Sequence, residues 1–219
     1  MEKLFKEWRL LVRQDSDHFV EDGIICKEKW LKSNKKILFI LKETNDYKGS
    51  ISELIKIAVI SRPKSGLWQR PTFHNIGRWA YGLLHIMDKE VKYKDADKFR
   101  KEALLSCAFM NIKKTTGGST ATKSVDEHAK KYSNFIRREI ELIEPDIIIF
   151  GGTYDIMKKY VFLEMENVSP RVYKYKEYIC IDANHPAYFK MKREDMYAQV
   201  VSSYRNYAMS MNLTKIDYH

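Results

Sequence analysis

Four short, almost uninterrupted apolar runs constrain this chain most: Lys36-Ile-Leu-Phe-Ile-Leu41, Ser106-Cys-Ala-Phe-Met-Asn111, Asp146-Ile-Ile-Ile-Phe150 and Tyr178-Ile-Cys-Ile-Asp182. None alternates apolar with polar residues, so each predicts a strand buried on both faces, as the strands of a parallel sheet are. Parallel neighbours need long crossovers, usually helices, and helical spacing fills the intervals. Residues 1–14 put Leu4, Phe5, Trp8, Leu11 and Val12 on one face, and residues 72–87 do the same with Phe73, Ile76, Trp79, Ala80, Leu83 and Leu84. Further helices are predicted over 51–61, 96–105, 153–163 and 191–209, and another from the capping box Ser124-Val-Asp-Glu127 to about Glu144, where Pro145 stops it. Val172–Tyr175 reads as a short edge strand and Phe19–Gly23 as a loop packed on the core.

Strands alternating with helices predict an α/β fold, a three-layer α/β/α sandwich around a central, mainly parallel four-stranded sheet. The 219 residues fit a single domain, with residues 1–35 as a helical extension packed on it. With 44% hydrophobic and 31% charged residues the chain is a folded, soluble type, and no apolar run approaches the roughly 20 residues of a membrane span. Met1-Glu-Lys-Leu-Phe-Lys-Glu-Trp8 reads as an amphipathic helix start, not a signal peptide. Cys26, Cys107 and Cys180 are odd in number and scattered, which fits reduced thiols in a cytoplasmic protein and supplies no metal-ligand set. Neither a metal nor a cofactor is expected. The net charge of +10 and a pI near 9.3 favour a polyanionic partner, nucleic acid first.

In folds of this kind ligands gather beyond the carboxyl ends of the strands. That rule brings together Lys42–Tyr47, Asn111–Lys123, Gly151–Thr153 and Asn184–Phe189. Pro186 disfavours helical backbone at His185, so the histidine is expected extended where its strand stops. The assembled chemistry is Glu43, Asn45, Asp46, Asn111 and His185, with Tyr47, Trp68, Phe73 and Phe189 as aromatic neighbours. There is no serine elbow, no P-loop lysine after Gly151-Gly-Thr and no dinucleotide fingerprint. Lys113, Lys114, Lys123, Lys190 and Lys192 ring the same region as candidate phosphate contacts. The Gly117-Gly-Ser-Thr loop, with Ser119, offers backbone N–H groups and hydroxyls for the same task, or is a turn.

The order of these pieces, from Lys36 to about Tyr197, resembles the uracil-DNA glycosylase superfamily. Leu41-Lys-Glu-Thr-Asn-Asp-Tyr-Lys-Gly49 is similar to its first, water-positioning motif. Pro71-Thr-Phe-His-Asn-Ile76 resembles its Pro-Ser-Leu-x-Asn-Ile helix start, and Leu104-Leu-Ser-Cys-Ala-Phe-Met-Asn-Ile112 the strand that ends in a base-reading Asn. Pro145-Asp-Ile-Ile-Ile-Phe-Gly-Gly152 is similar to the third strand, and Asn184-His-Pro-Ala-Tyr-Phe189 to the second catalytic motif, His-Pro-Ser-x-Leu.

The resemblance implies a monomeric, monofunctional DNA glycosylase that flips out a deaminated or modified pyrimidine and hydrolyses its N-glycosidic bond. His185 would donate to the departing base, and Asn45 or Glu43 would orient water. Asn111 would read the base edge, with Trp68 or Phe73, and Tyr47, forming the aromatic wall. Phe189 falls where the family has a wedge leucine, and no lysine is placed as a Schiff-base nucleophile. The first motif departs from Gly-Gln-Asp-Pro-Tyr, which changes the wall beside the pyrimidine C5. A larger substituent, such as a glucosylated phage cytosine, is then an alternative substrate to uracil, with antiviral defence as its context. Two rival classes are a non-catalytic nucleic-acid-binding module and a hydrolase of free nucleosides, and the latter needs neither Phe189 nor a basic rim.

Overall fold

The computed structural model describes residues 1–12, 18–44, 47, 49–61, 70–86, 91–115 and 122–216, the side chains of 122 and 212–216 excepted. The elements run α1 (Glu2–Val12), β1 (Gly23–Ile24), α2 (Lys27–Lys32), β2 (Ile37–Glu43), α3 (Ile51–Ser61), α4 (Pro71–Leu84), α5 (Tyr93–Leu105) and β3 (Ala108–Lys113). There follow α6 (Thr122–Ile143), β4 (Ile147–Gly151), α7 (Tyr154–Tyr160), β5 (Glu166–Ser169), β6 (Val172–Tyr175), β7 (Tyr178–Ala183) and α8 (Arg193–Ile216). The chain is an α/β protein.

All seven strands join one sheet in the order β1-β3-β2-β4-β7-β6-β5. The expected four-stranded sheet is therefore corrected to a seven-stranded mixed one. The four apolar runs form its centre, where β3, β2, β4 and β7 are mutually parallel. The additions lie at the edges: β1 runs antiparallel to β3, and β5 and β6 fold back as an antiparallel meander on β7.

Alternation along the central strands divides the interior in two. Ile37, Phe39 and Leu41 of β2, with Phe109, Ile149 and Ile181, pack against α3, α4, α5 and α8. Leu38 and Ile40, with Met110, Ile148 and Cys180, pack against α1, α2, α6 and α7. With no more than 1% of Ile147 to Phe150 accessible, β4 gains about 1.5–3 kcal/mol for each large side chain it buries.

The N-terminal residues are more than a helical extension. Beside contributing β1, they donate from Val20 N to Lys114 O at 2.6 Å, and Glu21 O accepts from Ile51 N at 2.8 Å. The side chain of Asp22 enters the interior.

Candidate functional site

The carboxyl edge of the four parallel strands carries His185, Glu43 and Lys113, with Asn111 further inside. Past the end of β7, the Pro186 turn closes on the histidine itself: Tyr188 N donates to His185 O at 2.8 Å, and Ala187 N donates to His185 Nδ1 at 3.1 Å. A nitrogen that accepts this bond carries no proton, so the neutral ring keeps its hydrogen on Nε2, as a donor. Burial lowers the imidazole's affinity for a second proton, and the charge on Lys42 lowers it further. Neighbouring Asn184 is tied to α8 through Gln199, Nδ2 to Oε1, at 3.3 Å.

The β4–α7 turn makes a seat for this loop. Gly152 has φ +74, donates to Ala183 O at 2.8 Å, and a Cβ there would stand 3.2 Å from His185 Cβ. A Cβ on Gly151 would stand 3.1 Å from Pro186 Cδ and 2.3 Å from Leu41 Cδ2. The two glycines thus serve close approach. Thr153 faces inward, its hydroxyl donating to Ile40 O at 2.9 Å.

Two strands away, Glu43 and Lys113 stand at partnered positions of β2 and β3. Lys113 Nζ lies 3.0 Å from Glu43 Oε2 and 3.2 Å from Ser124 Oγ, which commits this lysine to a protein carboxylate. Asn111 pairs with Leu41 in register and is only 2% exposed. Its backbone N–H donates to Asp22 Oδ2 at 2.7 Å, while its side-chain Nδ2 is buried without a hydrogen-bond partner. Such an orphaned donor costs about 1–3 kcal/mol, a debt that a bound acceptor would cancel. Leu41, Gly151 and Pro186 connect the Asn111 position to the His185 turn across the sheet.

Other expected residues fall differently. Phe73 is buried and packs on Phe109, ring centroids 5.9 Å apart, as part of the core. Tyr47 is half-buried against that core, its hydroxyl donating to Ser50 O at 3.4 Å. Lys114 is corrected outright. It is 0% exposed, with Nζ 2.8 Å from Glu139 Oε2, bonded also to Asp22 and lying over the rings of Trp8 and Phe5, so it has no path to a phosphate. Burial drives the Glu139 carboxyl well above the usual range against the opposing pull of Lys114, with Asp22 reinforcing the rise. Burial works against the Lys114 charge too, but Asp22 and Glu139 outweigh it. Burial and Asp22 thus favour the protonated form of Glu139 beside the close Asp22–Lys114 contact.

Phe189 is 86% exposed at the tip of the His185 loop, with Tyr188 beside it at 6.3 Å and the exposed Lys190 and Lys192 flanking. The Phe189 ring is thus in solvent and takes no part in the core. Asn45, Asp46, Trp68 and Ser119 lie outside the described residues. Among the described residues no group of three or more His, Cys, Asp or Glu is placed to hold a metal ion, and no helix is long and apolar enough to cross a membrane.

Sequence reasoning missed Asp22, Glu139, Asn75 and Arg78. A buried position for a charged residue leaves no local mark when its partners are distant in the chain. The Pro-Thr-Phe-His-Asn pattern was the one available signal for Asn75. No known protein family model and no curated protein sequence matches this chain.

Proposed function

We propose that this protein is a monofunctional DNA glycosylase that removes a deaminated or C5-modified pyrimidine, working as a monomer in the cytoplasm. The observation that carries the reading is His185: a neutral imidazole, fixed as an Nε2–H donor by Ala187, at the root of a loop that raises Phe189 into solvent. The four parallel strands with helices on both faces suit the α/β/α sandwich of the family it resembles.

In the reaction the bond between C1′ and the base nitrogen breaks, the electron pair leaves with the base, and water supplies the oxygen that bonds C1′. A neutral donor aimed at a pyrimidine carbonyl stabilises the departing anion, and it does so most when the donor is already oriented. His185 takes that task. The unpartnered Nδ2 of Asn111 and its Oδ1 supply a donor and an acceptor for the edge of the flipped base. Glu43 or Asn45 orients the water, and the 3.0 Å pair with Lys113 holds the Glu43 carboxylate at the strand tip. Phe189 fills the vacated stack. The surplus of ten positive charges draws the duplex in. The excised base is uracil or a bulky phage-modified cytosine, and the latter gives the enzyme a defence role.

The test is an excision screen on duplexes carrying uracil, mismatched, damaged or glucosylated pyrimidines. One substrate is expected to yield abasic sites that break only on alkali treatment. His185→Ala is expected to lower turnover about 10²–10³-fold with DNA affinity retained. Salt-dependent DNA binding with no excision on any substrate would reassign the chain as a binding module. Hydrolysis of free nucleosides without such binding would reassign it as a nucleoside hydrolase.

A further inference from the structure

The turn that carries His185 is held from α4 by a buried chain of polar groups. Asn75, in α4, is 2% exposed, and its Nδ2 donates to Pro186 O at 2.6 Å. Its Oδ1 accepts from Arg78 Nη1 at 2.6 Å. Arg78, itself buried, reaches Asp97 of α5 through Nε at 2.7 Å and Nη2 at 2.6 Å, with its guanidinium 5.2 Å from the Tyr93 ring centre.

The chain does not stop at the carbonyl it grips. Pro186 C=O and Ala187 N–H belong to one peptide group, and that N–H is the donor to His185 Nδ1. The donor series starts at Arg78 and points one way, through Asn75 and the 186–187 peptide to the imidazole, while Arg78 also donates to Asp97, which anchors it. An amide whose oxygen accepts a bond becomes a better N–H donor, so bonds in series strengthen one another. Arg78 also fixes the sense of the series. A guanidinium only donates, so Asn75 must turn its oxygen toward Arg78 and its NH₂ toward Pro186. With an apolar residue at 78 the amide would be free to flip, setting two acceptors face to face.

Burying an arginine for packing alone is a poor bargain, since desolvating it costs several kcal/mol that pairing only offsets. We infer that Asn75, Arg78 and Asp97 are positioning residues that set the tautomer of His185 through the 186–187 peptide, keeping Nδ1 unprotonated and the proton on Nε2. Lys42 is the charged group that bears on the imidazole from β2, and its repulsion of a second proton acts in the same direction. The catalytic consequence rests on the role proposed for His185 above.

Side-chain nitrogen NMR of histidine-labelled protein tests it without needing a substrate. His185 in the wild type is expected to show one neutral tautomer, protonated on Nε2. Asn75→Asp keeps a partner for Arg78 but replaces the donor at Pro186 with an acceptor. That variant is expected to mix the tautomers and raise the pH at which His185 charges. Asp97→Asn, changed at the half-exposed end of the chain, is the gentler variant, expected to shift the same signals less. On a substrate found by the excision screen, Asn75→Asp is expected to lower kcat about fivefold to tenfold, the worth of roughly one hydrogen bond, with KM nearly unchanged. His185 signals unmoved in a folded Asn75→Asp protein would overturn the inference, as would moved signals with an unaltered kcat. Moved signals in a protein that excises nothing would instead uphold tautomer control and remove the glycosylase reading.

Discussion

Replacing Lys114 by Met tests the electrostatics of the interior most sharply. The ammonium is fully enclosed between Asp22 and Glu139, and Met keeps most of its volume beside Trp8 and Phe5. The substitution leaves the Asp22 and Glu139 side chains enclosed with no cation between them. Breaking a buried pair by removing one member costs about 3–5 kcal/mol. For a chain of this size each kcal/mol lowers Tm by about 2–4 °C, so a fall of roughly 6–20 °C follows. The sign of the pH dependence is also fixed. Glu139 holds its proton in the folded state well above the unfolded value of about 4.3, so the stability this group contributes is complete below that value and fades as pH rises. Without Lys114 to oppose the rise, Glu139 keeps its proton to higher pH, so the fading continues in the variant after it has ended in the wild type and the deficit grows toward alkaline pH. Urea unfolding followed by circular dichroism as a function of pH measures both quantities. Adding Asp22→Asn to the variant should recover much of the loss by removing the stranded charge. A cost under about 0.5 kcal/mol, the ordinary value for an exposed lysine, or a cost that does not change at alkaline pH, would refute this account of the buried charges.

Because His185 resists a second proton, turnover should hold below pH 6.5, about where an unperturbed histidine charges, and fall only in more acid solution. By the same linkage this group's contribution to folding is present above that value and is lost as pH falls through its lower folded value, which stability–pH curves of wild type and His185→Gln will separate. Phe189→Ala should leave stability within about 0.5 kcal/mol, since the ring is 86% exposed, yet weaken duplex binding in titrations. It should not change the slope of affinity against salt, because no phosphate contact is lost. Gly152→Ala forces a side chain onto φ +74 and sets it 3.2 Å from His185 Cβ. A cost of about 1–2 kcal/mol is expected in denaturant titrations, with a displaced His185 signal in the NMR spectrum.

Central architecture was legible because β2, β3, β4 and β7 are buried on both faces and so spell themselves as apolar runs. β5, reading Glu-Asn-Val-Ser, lies at an exposed edge and carries no apolar signature, and β1 is two residues long. Neither offers a period to detect. His185 was legible through Pro186 and the strand before it. Its tautomer was not, because that depends on a peptide bond turned back on the ring. Lys114 was misread for the opposite reason. Lysine is a surface residue by default, and only the distant Asp22 and Glu139 make its burial tolerable. Phe189 could have been core or contact on its sequence alone; its exposure decides for the surface.

The placement of Asp22 also sets a timetable for folding. Two of its interior partners, the Asn111 amide and the Lys114 ammonium, lie 89 and 92 residues downstream. At about 5–20 residues per second, the ribosome delivers Lys114 some 5 to 20 s after Asp22. Until then β1 lacks its partner strand, and α6, the helix that α1 packs on, is still to be made. The first segment made thus waits for about half of the chain before it is secured, and a chain stalled before β3 would expose Phe5 and Trp8 to any chaperone or protease that waits at the tunnel exit.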